Sequence, residues 1–204
     1  MIVKICGITR VEDATVAVSL GATAVGFIFW PGSPRRVAPA DAAAIGGALP
    51  QEVWKVGVFV DAPADHVRRV IEEARLTAVQ LHGNETPAAA AALNARVIKA
   101  ITLEHVDSPE ALDDWRGVPI LLDANDPVRK GGTGRTIDWH RAAEIAARHD
   151  IILAGGLRPG NVAEAIARVR PSGIDVSSGV EASPGVKDHD KLRSLFEALR
   201  GVEA

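Results

Sequence analysis

Two side chains with complementary proton-transfer chemistry stand at the ends of predicted strands in this sequence. Cys6, the only cysteine of the chain, ends the apolar, β-branched stretch 2–6. Asp123 follows the apolar run 120–122, where burial would raise the pKa of its carboxyl and let it hold a proton as a general acid. A thiolate at Cys6 would act as a general base, and a nearby arginine such as Arg35 would favour the thiolate over the thiol. If the two strand ends face each other, Cys6 and Asp123 are a base and an acid on opposite sides of a substrate.

Each of these side chains also has a purely structural interpretation. A lone buried cysteine is usually a small apolar filler, and an aspartate after a strand commonly binds the backbone of the next loop. His82, in the strand end 80–83, either donates to a substrate oxygen or is satisfied by backbone groups. These stretches taken one at a time leave both interpretations open.

Two glycine-containing turns late in the chain predict a phosphate site. Gly155 and Gly156 follow one predicted strand, and Ser177, Ser178 and Gly179 follow the next. Such turns leave backbone N–H groups uncovered beside small hydroxyls, which suits an anion. The alternative is two ordinary connecting turns. A third glycine-rich segment, 130–135, is interpreted either as a loop that folds over a bound phosphate ester or as a solvated connector.

The composition limits the class of protein. The chain has 204 residues, with 47% hydrophobic residues but only four Phe, four Trp and no Tyr, which favours parallel strands covered by Ala-rich helices. A net charge of −3 without a basic cluster argues against nucleic-acid or membrane-surface binding. No signal-peptide pattern, spanning apolar run or metal-ligand spacing of His and Cys occurs, so we expect a cytoplasmic protein without a metal.

The elements that must position these residues alternate regularly between strand and helix. Strands are predicted at 2–6, 24–29, 54–60, 78–81, 97–101, 119–123, 151–154 and 173–176. Helices are predicted at 11–20, 39–49, 64–74, 87–93, 109–114, 139–148, 161–170 and 188–199. Eight consecutive βα units predict a closed (β/α)8 TIM barrel that forms one domain over residues 1–204, with a doubly wound open sheet as the alternative. The fifth helix is expected to be short, with Ser108 as its N-cap and Pro109 as its first residue.

The strand-end segments together resemble one family over nearly the whole chain. The segments that carry the resemblance are Lys4-Ile-Cys-Gly-Ile-Thr9, Gly26-Phe-Ile-Phe29, Ser33-Pro-Arg35, Val56-Gly-Val-Phe59, Gln80-Leu-His-Gly83, Leu121-Leu-Asp123, Gly131-Gly-Thr-Gly134, Ala154-Gly-Gly-Leu157, Asn161-Val162, Asp175-Val-Ser-Ser-Gly-Val-Glu181, Pro184-Gly185 and Lys187-Asp188. Their combination resembles the phosphoribosylanthranilate isomerases of tryptophan biosynthesis.

This resemblance implies an Amadori rearrangement of N-(5-phosphoribosyl)anthranilate to 1-(2-carboxyphenylamino)-1-deoxyribulose 5-phosphate, without cofactor or metal. Carried onto this chain, it makes Cys6 the base and Asp123 the acid. It implies that Arg35 binds the anthranilate carboxylate and that the two late turns hold the phosphate. Asp175 would position the sugar or brace the second turn, and the protein would be a monomer or a homodimer. Arg36 stands where the family often has an aromatic residue, so either arginine could face the carboxylate.

Three other functions compete with this interpretation. The analogous isomerase of histidine biosynthesis resembles a twofold-repeated barrel with an aspartate at the first strand end, where this chain has Cys6. A metal-dependent sugar-phosphate epimerase needs histidine and carboxylate ligands at the strand ends, and only His82 qualifies. A non-catalytic barrel that binds a phosphorylated metabolite would have no need of both Cys6 and Asp123.

Overall fold

The computed structural model of the chain describes residues 1–124 and 138–202 and contains a closed barrel of eight parallel strands. The strands are β1 (Ile2–Cys6), β2 (Ala24–Ile28), β3 (Trp54–Phe59), β4 (Ala78–Leu81), β5 (Val97–Thr102), β6 (Ile120–Asp123), β7 (Ile151–Leu153) and β8 (Gly173–Val176). Each strand pairs with the next, and β8 closes the barrel by pairing with β1. The predicted TIM barrel is confirmed, and the closure excludes the open doubly wound sheet.

The helices alternate with the strands. They are α1 (Val11–Leu20), α2 (Pro39–Gly47), α3 (Ala64–Glu73), α4 (Pro87–Ala91), α5 (Trp139–Ala146), α6 (Val162–Val169) and α7 (His189–Arg200). Three of them begin at a residue whose side chain accepts hydrogen bonds from the first turn: Thr86 before α4, Asp138 before α5 and Asp188 before α7. These caps satisfy N–H groups that the first turn of a helix cannot pair internally.

The apolar residues form two separate layers. The larger layer lies between the strands and the helices and contains most of the buried Val, Ile, Leu and Phe side chains. The smaller layer fills the inside of the barrel and includes Ala24, Val56, Ala78, Ile98, Ala100, Leu121, Ile152 and Ala154. The inner side chains come from alternate residues of each strand. Residues at the carboxyl ends that continue this alternation therefore point into the mouth of the barrel.

The fifth unit departs from the α-helical pattern. Its helical segment is a 3-10 helix at Pro109–Trp115, preceded by another at Leu103–His105. Ser108 occupies the predicted N-cap position with extended backbone and Pro109 follows as the first residue, but the side chain of Ser108 makes no capping hydrogen bond. Pro109 fixes its own φ, and Leu112 and Trp115 are buried against the core. Packing of these two side chains therefore holds the segment, rather than capping.

Several element ends also differ from the predicted ones. Helices α2, α4 and α5 end at Gly47, Ala91 and Ala146, before the predicted ends at 49, 93 and 148. A short antiparallel hairpin after β8, formed by β9 (Glu181–Ser183) and β10 (Val186–Lys187), is not predicted from the sequence. Strands of this length carry too few residues for an alternating pattern to stand out.

Candidate active site

A cavity of about 600 Å³ opens at the carboxyl ends of the barrel strands. All ten site residues predicted from the sequence line it: Cys6, Arg35, His82, Asp123, Gly155, Gly156, Asp175, Ser177, Ser178 and Gly179. Its apolar wall is formed by Ile28, Trp30, Pro34, Val58, Val60 and Leu157. One chamber therefore brings titratable groups, glycine turns and an apolar surface together.

Cys6 ends β1 and lines the cavity with almost all of its surface buried. Burial raises the pKa of its thiol because the thiolate loses its hydration, and the charge of Asp175 adds to this effect. The charges of Lys4 and Lys187 act in the opposite direction without overcoming it. The expectation that a neighbouring arginine makes the thiolate the favoured form is therefore wrong.

Asp123 ends β6 and is buried at the other side of the cavity floor. Its Oδ1 accepts a hydrogen bond of 2.8 Å from the backbone N–H of Ala124. Its Oδ2 lies 3.6 Å from Nε2 of His82. The carboxylate thus contacts the backbone of the following loop, as the structural interpretation expected, and still lines the cavity.

His82 is oriented from the other side of its ring by Gln80. Its Nδ1 lies 3.0 Å from the side-chain nitrogen of Gln80, on the same strand β4. When that amide donates, Nδ1 accepts, and the proton of the neutral imidazole is on Nε2, which faces Asp123. Gln80 lines the cavity as well, although the sequence did not single it out.

The two late turns form a backbone surface suited to an anion. Gly155 and Gly156 adopt positive φ angles of 83° and 68°, which favour glycine, and their N–H groups donate to no acceptor in the described part of the chain. The side chain of Asn161 binds both ends of this turn, since Oδ1 accepts from Arg158 N–H at 2.8 Å and Nδ2 donates to the Gly156 carbonyl at 3.0 Å. Asn161 therefore fixes the turn from outside the cavity and leaves the N–H groups of Gly155 and Gly156 available to a ligand.

The second turn packs directly on the first. Ser178 starts a 3-10 helix at Ser178–Val180, and Gly179 lies against the carbonyl of Leu157. A Cβ atom at Gly179 would collide with that carbonyl oxygen. The close approach of the two turns therefore depends on glycine at position 179.

Arg35 reaches the cavity from the loop after β2, held by an ion pair with Glu181 of β9. Its Nε and Nη2 donate to the Glu181 carboxylate at 2.9 and 2.7 Å. Burial alone would raise the pKa of Glu181, but the hydrogen bonds from Arg35 and the charge of Lys187 outweigh it and hold the pKa below its ordinary value. Arg36 is exposed, pairs through its backbone with Ile28 and does not line the cavity, so Arg35 is the arginine that lies at the site.

Two further buried charges support the site from behind. Lys187 donates to the carbonyls of Cys6 and Ser177 at 2.6 and 3.2 Å and to Glu181 at 2.9 Å, which ties the first and last strand ends to the hairpin. Lys4 donates to Asp175 at 2.8 Å inside the barrel. Both lysines stand in segments that carry the family resemblance, but no role was predicted for either of them. For Lys4 a further signal was available, since it is a charge at an inward-facing position of an apolar strand.

The glycine-rich segment 130–135 lies outside the described residues. Within residues 1–124 and 138–202, no three His, Cys, Asp or Glu side chains converge in a way that could hold a metal ion. No helix in that same part of the chain is long and apolar enough to cross a membrane.

The fold and the cavity define a (β/α)8-barrel enzyme whose reactive side chains gather at the carboxyl ends of the strands. The model of the N-(5'phosphoribosyl)anthranilate (PRA) isomerase family matches residues 3–198. The N-(5'-phosphoribosyl)anthranilate isomerase of Geotalea uraniireducens is 47% identical over 200 residues, which cover 98% of each chain.

Solved structures agree with the sequence comparison. The crystal structure of phosphoribosyl anthranilate isomerase from Thermus thermophilus is 47% identical and superposes with a TM-score of 0.91 over 99% of this chain and all of that one. Another isomerase structure, in complex with reduced 1-(o-carboxyphenylamino)-1-deoxyribulose 5-phosphate, is 40% identical with a TM-score of 0.86, covering 98% of this chain and 100% of that one. The chain belongs to the phosphoribosylanthranilate isomerase family, and it is an isomerase of tryptophan biosynthesis, as the resemblance implied.

Proposed function

We propose that the chain converts N-(5-phosphoribosyl)anthranilate to 1-(2-carboxyphenylamino)-1-deoxyribulose 5-phosphate by an Amadori rearrangement. The observation that carries this proposal is that Cys6 of β1 and Asp123 of β6 line the same cavity as the two glycine turns. The relative bound to a reduced form of this product supports the choice of ligand. The cavity of about 600 Å³ is also within the range of sites that enclose a small organic ligand.

Asp123 acts first, as the general acid. Its carboxyl gives a proton to the ring oxygen of the ribose, the bond between that oxygen and C1′ breaks, and the anthranilate nitrogen supplies the electron pair that forms an iminium. His82 lines the same cavity, and its Nε2, 3.6 Å from Oδ2 of Asp123, stabilises the carboxylate that remains. General acid catalysis of this kind contributes on the order of 10²–10⁴-fold.

Cys6 acts second, as the general base. Its thiolate removes the proton from C2′, which the adjacent iminium has made acidic, and an enolamine results. The enolamine takes up a proton at C1′ and loses the proton of its 2′-hydroxyl, which leaves the ketone at C2′. Protons and electron pairs balance within the substrate and these two side chains, so the sequence of steps requires neither a redox cofactor nor a metal.

The remaining site residues bind the ends of the substrate. Arg35 uses Nε and Nη2 for Glu181, and we assign the other guanidinium N–H groups to the anthranilate carboxylate. The apolar wall that includes Trp30 receives the aromatic ring. The backbone of the two turns, from Gly155 to Gly179, takes the phosphate, and Asp175 positions the sugar beside it.

We further propose that residues 1–204 fold as one domain that works in the cytoplasm as a monomer or a homodimer. A buried, unpaired Cys6 suits a reducing compartment. Sedimentation of the purified chain would distinguish the two oligomeric states.

The test follows the loss of phosphoribosylanthranilate fluorescence with the wild type, Cys6→Ser and Asp123→Asn, after a circular dichroism check of the fold. Turnover by the wild type and severe loss in both folded variants would support the proposal. Turnover that survives in both variants would refute the assigned roles but not the reaction. A wild type that binds the product and does not turn over the substrate would refute the reaction itself.

A further inference from the structure

Lys4 is a fully buried lysine on the inner face of the barrel, and the proposed reaction does not use it. It precedes Cys6 by two positions on β1, so both side chains point to the same face of the strand. Its Nζ donates to Asp175 Oδ1 at 2.8 Å, and the two residues are direct neighbours across the pairing of β1 with β8. An ammonium group without solvent exposure is strongly unfavourable unless it is paired, so a residue in this place needs a reason.

The side chains of Lys4 and Cys6 share one space above Gly26 of β2. A Cβ atom built on Gly26 would lie 2.7 Å from the Cys6 sulfur and 3.2 Å from Cε of Lys4. The absence of a side chain at Gly26 therefore allows the thiol and the end of the lysine to pack side by side. Their proximity is also electrostatic, since the charge of Lys4 lowers the pKa of the thiol and a thiolate at Cys6 raises the pKa of Lys4.

The other charged groups around Cys6 are already committed to one another. Asp175 on β8 neutralises Lys4 and by itself disfavours a thiolate. Lys187 on β10 and Arg35 on the loop after β2 share the carboxylate of Glu181. Among these groups, Lys4 lowers the pKa of Cys6 the most.

We propose that Lys4 is a positioning residue of the isomerase site, whose ammonium, held in place by Asp175, is the counter-charge that allows a thiolate to form at Cys6 inside the barrel. This proposal rests on the proposed role of Cys6 as the general base. Lys4 does not touch the substrate in this arrangement, because it lies below the cavity and acts only through the thiol. Without it, burial and the charge of Asp175 would both oppose ionisation of Cys6.

The composition of the chain makes the thiol directly observable. The protein has one cysteine and no tyrosine, so the ultraviolet absorbance that grows with pH from thiolate formation reports Cys6 alone. Alkylation by iodoacetamide at a fixed pH below the thiol's pKa gives a second readout, because only the thiolate reacts. Neither readout depends on the substrate or on turnover.

The variants are Lys4→Met, which removes the charge and keeps the length of the side chain, and Asp175→Asn, which removes the opposing charge. Loss of a close opposite charge raises the pKa of a thiol by about 1–3 pH units, so alkylation of Lys4→Met should be slower by about 10–1,000-fold. In Asp175→Asn the thiol's pKa should fall and alkylation should become faster. Lys55→Met is the matched control, because Lys55 is another buried strand lysine whose Nζ binds the carbonyl of Pro50, and it should leave the thiol unchanged.

Opposite changes in the two variants, with an unchanged control, would support the role of Lys4, since general loss of structure cannot shift one pKa in two directions. A natively folded Lys4→Met protein with the wild-type alkylation rate would overturn it. If Lys4→Met does not fold, Lys4→Gln takes its place, because it removes the charge and keeps a donor for Asp175, and a folded Lys4→Gln protein with the wild-type alkylation rate overturns the proposal. The pH profile of kcat/KM of the same variants and the turnover of Cys6→Ser separate the role of Lys4 from the role of Cys6. If the thiol responds to Lys4 but the Cys6→Ser variant still turns over the substrate, only the role of Cys6 as the base is refuted.

Discussion

Glu181 pairs with two buried cations, Arg35 and Lys187, and replacing it with glutamine should destabilise the barrel at the face that carries the site. Its carboxylate accepts from Nε and Nη2 of Arg35, from Nζ of Lys187 at 2.9 Å and from the backbone N–H of Gly185 at 3.2 Å. Glu181→Gln preserves the shape of the side chain but removes the negative charge. Arg35 and Lys187 would then face each other without a counter-ion.

The expected magnitude follows from the burial of these groups. The side chain of Lys187 is fully buried and that of Glu181 is 5% exposed, so solvent cannot screen the charges that remain. Breaking such a pair by removing one partner lowers the free energy of unfolding by about 3–5 kcal/mol. Because the glutamine oxygen can still accept a hydrogen bond, we expect the lower end, about 3 kcal/mol. In a chain of this length that corresponds to a decrease in Tm of about 6–12 °C.

The assay is urea unfolding and thermal unfolding of the wild type and Glu181→Gln, with Glu144→Gln as the control. Glu144 is half exposed and lies 3.7 Å from an exposed histidine, so its substitution should change the free energy of unfolding by less than about 0.5 kcal/mol. The KM for phosphoribosylanthranilate should also rise in Glu181→Gln, since Arg35 loses the partner that orients it. A decrease in stability below about 1 kcal/mol, no greater than the control, would refute the reasoning that this ion pair holds the strand ends together.

Two more predictions concern the same face of the barrel. The pKa of Glu181 is lower in the folded protein than its ordinary value of 4.5, so its contribution to stability is present above that value and is lost as the pH falls through the folded pKa. As the pH is lowered in acid, the free energy of unfolding should therefore fall more steeply for the wild type than for Glu181→Gln, and equal slopes of this free energy against pH would contradict the prediction. Gly179→Ala should push the second turn away from the carbonyl of Leu157, lowering the free energy of unfolding by about 1–3 kcal/mol and weakening inhibition by inorganic phosphate. Gly160→Ala is the control, because a Cβ atom at Gly160 meets no other atom within 4 Å. A similar loss of stability in both variants would argue against the contact between Gly179 and the Leu157 carbonyl.

The barrel could be predicted from the sequence because parallel strands buried on both faces appear as short, continuous apolar runs. The observed β1, β4 and β8 have the predicted ends, and the others differ only at their termini. The site was predictable for a related reason. In this fold the carboxyl end of every strand opens on the same face, so reactive residues such as Cys6 and Asp123 meet there even though they are distant in the chain.

The charge network behind the site could not be predicted in the same way. Glu181 and Lys187 stand in segments that carry the family resemblance, but nothing in the sequence places them next to each other. Only the hairpin formed by β9 and β10 brings them together under the barrel mouth. The pKa of Cys6 was predicted in the wrong direction for a similar reason. It depends on burial and on several charges at once, and their balance requires distances that a sequence does not contain.

In the proposed reaction Cys6 removes the proton from C2′ after Asp123 has opened the ring. The most direct test compares turnover of phosphoribosylanthranilate carrying hydrogen or deuterium at C2′ by the wild type, Cys6→Ser and Asp123→Asn. With a weakened base, cleavage of the C2′–H bond should limit the rate, so Cys6→Ser should show a larger isotope effect than the wild type. Asp123→Asn should show a smaller isotope effect than Cys6→Ser, because ring opening, which precedes cleavage of the C2′–H bond, then limits the rate. A Cys6→Ser enzyme with wild-type turnover and a wild-type isotope effect would show that Cys6 is not the base.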